Sequence, residues 1–482
     1  MDAWIAEELK TADLGDERLN RRFEIVLERL AGRPSVSIPA ACNGLAETQA
    51  AYRFFANERV AAKKILQPHR QATLKRIRQQ ATVLIVQDTT ELEMTRPEQK
   101  VGGPLNWETQ IGFLDHVLLA MTPERVPLGV VDANIWARDL EDFHKRRDRG
   151  HKPIEAKESY RWLQGYQHAC AVAQAAPETR IVCISDSEGD IFECFAEAAA
   201  EDAAGAVDAT GGKADWIVRS GQDRRLATGK ASLVEEVARS PVWHSFEVKV
   251  SKRRAACGDD QKQKRRQERQ ARLAVCTLRA GRVCLKAPWR KDRQLQDHDV
   301  NVVLVREENP PAGEEPIEWL LLTSLPVDTL AQAQTVVEYY CCRWEIEVYF
   351  RVLKSGCGVE ELQLETAERF TACLAVYMIV AWRVLFVLFM GRKCPDLPCD
   401  AVLGTDEWQS VYWIVNRQPP PKKPPSLESM VEMIASLGGY LGRKHDGPPG
   451  PKTLWIGMQR MRDYALAWQT FGPTRSRSTE DV

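Results

Sequence analysis

The chain has 482 residues, with 66 Lys plus Arg against 67 Asp plus Glu and a formal net charge of −1. That balance excludes a uniformly basic nucleic-acid coat, and 44% apolar residues exclude disorder of the whole chain. At about 100 to 200 residues per domain, the length predicts two to four domains with real cores.

The 13 Cys include no Cys-x-x-Cys pair and the 8 His are dispersed, which argues against structural zinc. The N-terminus lacks a basic-then-apolar leader, so reduced thiols in a cytoplasmic protein are expected. Residues 1 to about 70 carry helical periodicity. Leu19, Phe23, Val26, Leu27 and Leu30 share one face, with Arg18, Arg21, Arg22 and Arg29 elsewhere. Gly32-Arg-Pro-Ser35 ends the first long helix and Ala50-Ala-Tyr-Arg-Phe-Phe55 starts a second. Over residues 1 to 80, 14 Lys/Arg face 10 Asp/Glu, which a solvated helix face explains as well as DNA does.

From about residue 81 the pattern turns to short apolar runs at 83–86, 117–121, 126–131 and 181–184, buried strands by length and β-branching. A helix is predicted over 155–175 between them, so this part reads as an α/β core. Strand-like pieces at 216–218, 243–250, 273–278, 302–305 and 319–322 form a largely β insertion, and a long helix is predicted from Pro326 at least to Lys354. Thr371 to Met390 is long enough to span a membrane, but Arg383 at a helix centre costs roughly 3 kcal/mol on insertion, so a buried core helix is predicted. A Pro-rich stretch at 419–425 and a final helical module close the chain, which has no internal repeats.

Two apolar runs lead into an acid: Val83-Leu-Ile-Val-Gln-Asp88 and Ile181-Val-Cys-Ile-Ser-Asp186. Carboxylates at adjacent strand ends suit a hard cation such as Mg2+, which takes oxygen ligands. Each Asp also reads as a turn former or helix cap. On the predicted long helix Tyr340, Arg343, Glu347 and Lys354 follow at spacings of 3, 4 and 7, within a stripe of about 60°. A solvated face with an Arg343–Glu347 ion pair is the plainer explanation of the same stripe.

The words around these acids decide between the alternatives. Gln87-Asp-Thr-Thr90, Ser185-Asp-Ser-Glu-Gly-Asp-Ile191 and Tyr340-Cys-Cys-Arg343-Trp-Glu-Ile-Glu347, continuing to Lys354, resemble the Tn5-type cut-and-paste DNA transposases of the insertion-sequence-four family. The last segment matches that family's Tyr-x2-Arg-x3-Glu-x6-Lys signature without a gap. Leu14-Gly-Asp-Glu-Arg18 with Arg22, and Ala51-Tyr-Arg53-Phe, resemble its DNA-binding domain. Lys157-Glu-Ser, Val218-Arg219-Ser and Trp319-Leu-Leu-Leu resemble its catalytic domain, and Leu437-Gly-Gly-Tyr-Leu-Gly-Arg-Lys444 its dimerisation module.

The resemblance implies an RNase H-like mixed-sheet core with a β insertion at about 220–323, within a catalytic domain at 71–368. That domain would be flanked by a helical DNA-binding domain at 1–70 and a helical dimerisation domain at 369–482. It implies that Asp88, Asp186 and Glu347 hold two Mg2+ or Mn2+ ions and that no small-molecule cofactor is used. Partners would be transposon-end and target DNA, with a homodimer in a paired-end complex and no membrane. Trp319 would wall the pocket for a flipped base, while Tyr340, Arg343, Lys354, Arg219, Arg22 and Arg53 contact DNA. Phe350 and Arg351 stand where the family has His and Lys at the transposon end, so Arg351 joins the DNA-contact set as a departure.

From His244 to Arg293, 16 Lys/Arg face 5 acids, which beside a DNA active site points to phosphate binding. Competing readings are an inhibitory end-binding regulator that does not cut, and a metal-dependent nuclease without strand transfer. The first internal Met, Met94, lies beyond Asp88, so a regulator made from an internal Met start would lack a catalytic acid.

Overall fold

The structure, a computed structural model, describes residues 3–42, 44–94, 101–107, 109–141, 152–203, 213–229, 231–250, 252 and 270–472. In chain order come helices α1 (Ala3–Glu8), α2 (Glu17–Gly32), α3 (Ile38–Ala41), α4 (Leu45–Phe55) and α5 (Ala62–Ile77), then strands β1 (Thr82–Glu93), β2 (Gly103–Pro104), β3 (Ile111–Met121) and β4 (Pro127–Trp136). Next are α6 (Tyr160–Ala175), β5 (Arg180–Ser185), α7 (Phe192–Ala203), β6 (Asp215–Arg219), α8 (Leu233–Arg239), β7 (His244–Val250), β8 (Arg272–Leu285), β9 (His298–Glu307) and β10 (Glu318–Thr323). Helices α9 (Leu330–Cys341), α10 (Trp344–Arg351), α11 (Ala367–Lys393), α12 (Thr405–Asn416), α13 (Leu427–Leu437) and α14 (Pro451–Phe471) complete the chain. These elements form two compact units, one of residues 1–147 and 344–482, the other of 148–343.

In the first unit α2 starts where the Asp16 side chain accepts the Arg18 N–H, and it buries Phe23, Val26, Leu27 and Leu30, the predicted stripe. Strand β3 lies between β1, in antiparallel register from Leu84↔Met121 to Glu93↔Gly112, and β4 with the short β2 on its other side. It is buried at nearly every position, as a strand covered on both faces must be. Helices α5 and α11 pack on β4 and on each other.

Among the described residues α11 alone is long and apolar enough to cross a membrane, and 89% of its apolar window is buried inside the protein. Its Arg383 lies over the Trp4 and Phe386 rings and donates to the Val402 carbonyl, which reconciles a cation with a core position.

A buried knot joins these layers. His69, fully buried, lies 2.6 Å from a Glu8 carboxylate oxygen through Nδ1 and accepts the Val130 N–H through Nε2 at 3.0 Å. Arg76 donates to Glu8, to Thr73 and to the Leu128 carbonyl, and its guanidinium lies 4.4 Å from the Trp382 ring centroid. Burial would raise the Glu8 carboxyl, but His69 and Arg76 hold it below its ordinary value. Burial keeps His69 below its own ordinary value despite Glu8.

The second unit is a sheet in the order β5-β6-β10-β9-β8-β7, with β5 and β6 parallel and every other pair antiparallel. The five strands read from 216 to 322 are all present. Residues 251 and 253–269, which hold much of the basic run, lie outside the described residues. The described cysteines are free thiols.

Three readings need correction. Strand β1 does not stop at Asp88 but continues through polar Thr89, Thr90 and Glu91 to Glu93, because β3 supplies a partner for all of it. The helix read over 155–175 begins at Tyr160, after a 3-10 turn at Ile154–Ala156. The long helix read from 326 to 354 is broken. Cys342 and Arg343 donate to the carbonyls of Tyr339 and Tyr340, three residues back, so α9 tightens and ends before α10 begins at Trp344. The 60° stripe is therefore not one helix face: Tyr340 and Arg343 belong to the second unit, Glu347 and Lys354 to the first.

Asp115 on β3 is fully buried, neither carboxylate oxygen has a hydrogen-bond partner among the described residues, and burial pushes it up to about 8. A carboxyl raised in the fold costs nothing below the ordinary value of 3.8 and destabilises progressively as pH rises toward 8. Asp115→Asn is therefore expected to stabilise the protein by about 4 kcal/mol at pH 7 and only about 1 kcal/mol at pH 4.5. Urea unfolding at the two pH values measures this, and a variant less stable than wild type at pH 7 contradicts it.

Candidate active site

In the first unit Asp88 stands mid-strand on β1 opposite Val117, half-exposed, with one carboxylate oxygen accepting the Thr89 N–H at 2.8 Å. Thr90 shares its face by the two-residue alternation of a strand, and Asp115 lies opposite Thr90. Tyr349 of α10 feels the Asp115 carboxyl, so α10 covers the face that carries Asp88. Burial of Ile346, Tyr349 and Phe350 seats this short helix and leaves Glu347 exposed.

Its first turn is tied down by Glu345, which pairs with Arg125 at 3.1 Å. Arg125 sits in the left-handed region at φ 72° in the β3–β4 turn. Burial raises the Glu345 carboxyl against the pull of Arg125. After α10 one turn of π-helix, Val352–Gly356, carries Lys354, whose Nζ is 3.4 Å from Glu360. The same Glu360 oxygen accepts the Glu93 N–H at 3.0 Å. Arg351 is exposed and Phe350 is buried.

In the second unit β5 delivers Asp186 at its carboxyl end, where the side chain caps a 3-10 turn by accepting the Glu188 N–H at 2.8 Å. The capping role and a ligand role are compatible, since the cap engages one of the two oxygens. Tyr340, 2% exposed, gathers the other predicted residues. Its ring centroid is 6.2 Å from that of Trp319, its hydroxyl meets Arg343, and it senses the charges of Arg219 and Asp186. Burial raises the Tyr340 hydroxyl, and the two arginines oppose this.

Arg343 is itself only 6% exposed, and Arg219 leans on the Glu318 carbonyl beside Trp319. Trp319 is half-buried against a small cluster of Val250, Ala274, Cys276 and Val305, so it is both a packing residue and a wall of the Tyr340 site. Arg22 on α2 is half-exposed and Arg53 on α4 exposed, both suited to an external contact.

Sequence reasoning passed over Asp190, four residues beyond Asp186. It is buried and accepts from Ser220 Oγ, the Gly221 N–H and both Nε and Nη of Arg224, an ion pair with side chains 1% and 9% exposed. The word Ser-Asp-Ser-Glu-Gly-Asp displayed both acids, but only Arg224, 34 residues later, separates their roles. Asp115 gave no signal, since a single acid in an apolar run looks like a solvated turn. Among the described residues no three His, Cys, Asp or Glu side chains form a ready metal cage.

Three family models match the chain: Transposase DNA-binding over residues 1–60, Transposase DDE domain over 209–382 and Transposase Tn5 dimerisation domain over 379–473. The DDE match includes Trp319, Tyr340, Arg343, Glu347 and Lys354, and begins after Asp88 and Asp186. Among solved structures, a piggyBac transposase synaptic complex with hairpin DNA is similar at 11% identity and a TM-score of 0.36, over 98% of this chain and 79% of that one, a likeness too slight to support any inference.

The two neighbouring acids are expected to differ in what they stabilise. Asp190→Ala leaves Arg224 buried without its partner and is expected to cost about 3–5 kcal/mol. Asp186→Ala removes a cap and is expected to cost about 1 kcal/mol. Denaturant unfolding of both variants checks the order, and equal losses would refute the division of roles.

Proposed function

The chain belongs to the Tn5-type DDE transposases, DNA-binding and dimerising enzymes that depend on divalent metal, and from that premise we propose that Asp88, Asp186 and Glu347 are its catalytic acids. The observation that carries this reading is the convergence of Asp186, Arg219, Trp319 and Arg343 on Tyr340. A catalytic carboxylate, two phosphate-binding cations and two aromatic rings are the parts needed to hold a strand whose base has left the stack.

The donor chemistry fits the metal. Three carboxylates, without thiol or imidazole, are hard oxygen ligands suited to two Mg2+ or Mn2+ ions. When bound, such ions stabilise charge in in-line displacement at phosphorus.

The chain's own groups then do the positioning. Arg343 and Arg219 orient phosphate oxygens by fixed donor geometry, and Lys354 supplies a point charge from the turn after Glu347. Trp319 walls the pocket for the displaced base, with buried Tyr340 packed behind it. Arg351, Arg22 and Arg53 contact the transposon end. The reactions are water attack to release a 3′-OH, attack of that hydroxyl on the opposite strand to form a hairpin, opening by a second water, and strand transfer to target DNA. Each step exchanges one oxygen at phosphorus for another, so one acid triad serves them all.

The domain division is 1–70 for DNA binding, 71–368 for catalysis and 369–482 for dimerisation. The enzyme acts in the cytoplasm on nucleoid DNA. Within the dimerisation region Trp413 and Trp468 pack at 5.6 Å, and Trp413, Ile414 and Phe471 are 38%, 44% and 86% exposed. An apolar patch of this kind suits a second copy in a paired-end complex.

Glu347→Ala is expected to bind end DNA as wild type does and to lose cleavage by at least about a thousandfold in Mg2+. Cleavage retained by the variant refutes the triad. A wild type that binds without cutting supports the regulator, and one that cuts ends without joining them to target DNA supports the nuclease. Phe471→Asp with Trp413→Ala is expected to shift sedimentation of the end-bound protein from dimer to monomer, and an unchanged dimer removes the patch from the interface.

A further inference from the structure

Trp289 lies in the loop between β8 and β9 and is 78% exposed, far more than an indole needs to be in a folded chain. The loop around it is held in place. Lys286 pairs with Asp297 at 3.0 Å, and the Ala287 N–H donates to the same carboxylate at 2.8 Å. On the other side Arg290 donates to the buried Glu193 at 2.7 Å, and Arg293 reaches both oxygens of Glu155 at 2.7 and 2.8 Å. Four ionic or backbone ties across twelve residues present one aromatic ring to solvent with little conformational entropy left to lose.

We propose that Trp289 is a stacking platform for an unpaired or unstacked base of bound DNA, a contact separate from the Trp319–Tyr340 site. This rests on the transposase reading. The neighbours of Trp289 favour nucleic acid over protein. A protein partner of ordinary specificity needs a contiguous apolar patch of a few hundred Å2, at least about 300. Beside the indole in sequence stand Pro288, Arg290, whose charge is already held by Glu193, and the exposed Lys291, a cation next to a π-face that suits a base and its phosphate.

Position agrees. Pro288 and Arg290 line a cavity of about 260 Å3 together with Lys157, Asp190 and Glu193, on the segment that follows Asp186. A base stacked on Trp289 would thus lie near the segment that leads back to Asp186, proposed above as a catalytic acid.

The test uses the full-length protein without divalent metal, so that nothing is cut. Affinities are measured for a blunt duplex bearing the genuine end and for the same duplex with a single-stranded extension. Trp289→Ala is expected to weaken binding of the extended DNA by about tenfold or more, to leave blunt-duplex affinity unchanged, and to unfold at the wild-type temperature. Trp289→Phe is expected to restore most of the lost affinity. Equal affinity of wild type and Trp289→Ala for both DNAs overturns the proposal, as does an equal loss on both. A change of sedimentation in Trp289→Ala also overturns it, by making the ring a protein contact. Failure of wild type to bind either DNA would instead refute the transposase reading.

Discussion

The first unit depends on the burial of one ion pair that is never left short of donors. Glu8, His69 and Arg76 come from the first and fifth helices, yet their remaining contacts are backbone groups of β4 and the ring of Trp382 on α11. A charge taken out of water is tolerated only when it is paired and its remaining donors are satisfied. Here that condition fixes three layers at once. If β4 moved, Val130 would leave His69 without a donor and Leu128 would leave Arg76 without an acceptor. Trp382 repeats the bond from the other side, donating its indole N–H to the Pro127 carbonyl at 2.9 Å. Strand β4 in turn sets β3, and β3 sets the full register of β1, on which Asp88 stands.

Glu347 inherits its position by a second route. An eight-residue helix has little stability of its own, so the orientation of α10 is decided by what it packs against. Three buried side chains hold it to the sheet face, the Arg125–Glu345 pair holds its start, and the π-turn with Gly356 against Trp455 holds its end. A Cβ at Gly356 would meet the Trp455 ring at 3.1 Å, so any side chain there would have to push α14 back by a few tenths of an ångström. Arg125 in a left-handed conformation is a strained residue kept at a turn, as happens where surrounding contacts over-determine the backbone.

Much of this was legible in the sequence, and the failures have physical causes. The stripe of α2 and the apolar runs of β1, β3, β5 and β9 announced themselves because burial selects residue type at a fixed period. The far half of β1 did not, because its partner on β3 contributes the apolar surface while Thr89 and Glu91 face elsewhere. The break after Cys341 was invisible for a different reason. Tyr-Cys-Cys-Arg-Trp contains neither Pro nor Gly, and the tightening of the last turn arises from the burial of Tyr340 and Arg343, which only tertiary structure determines. The signature Tyr-x2-Arg-x3-Glu-x6-Lys was found without difficulty, yet its residues divide between two compact units, so linear spacing revealed the family and misstated the geometry.

The acids show why a net charge of −1 says so little. Glu8, Asp190 and Glu307 are buried with arginines bound to them, and each such pair removes a positive and a negative charge from any dealings with DNA. Glu193 and Glu155 use Arg290 and Arg293 in the same way to hold a loop. Much of the described basic content of the β insertion is therefore architectural, and a count of Lys and Arg overstates the charge offered to phosphate. Among the cations proposed for DNA, Arg343 and Arg219 beside Tyr340 and exposed Lys291 beside Trp289 are set apart by the aromatic ring each accompanies. Specific placement of a few cations against π-faces, rather than an excess of positive charge, is how an almost neutral chain can hold a polyanion.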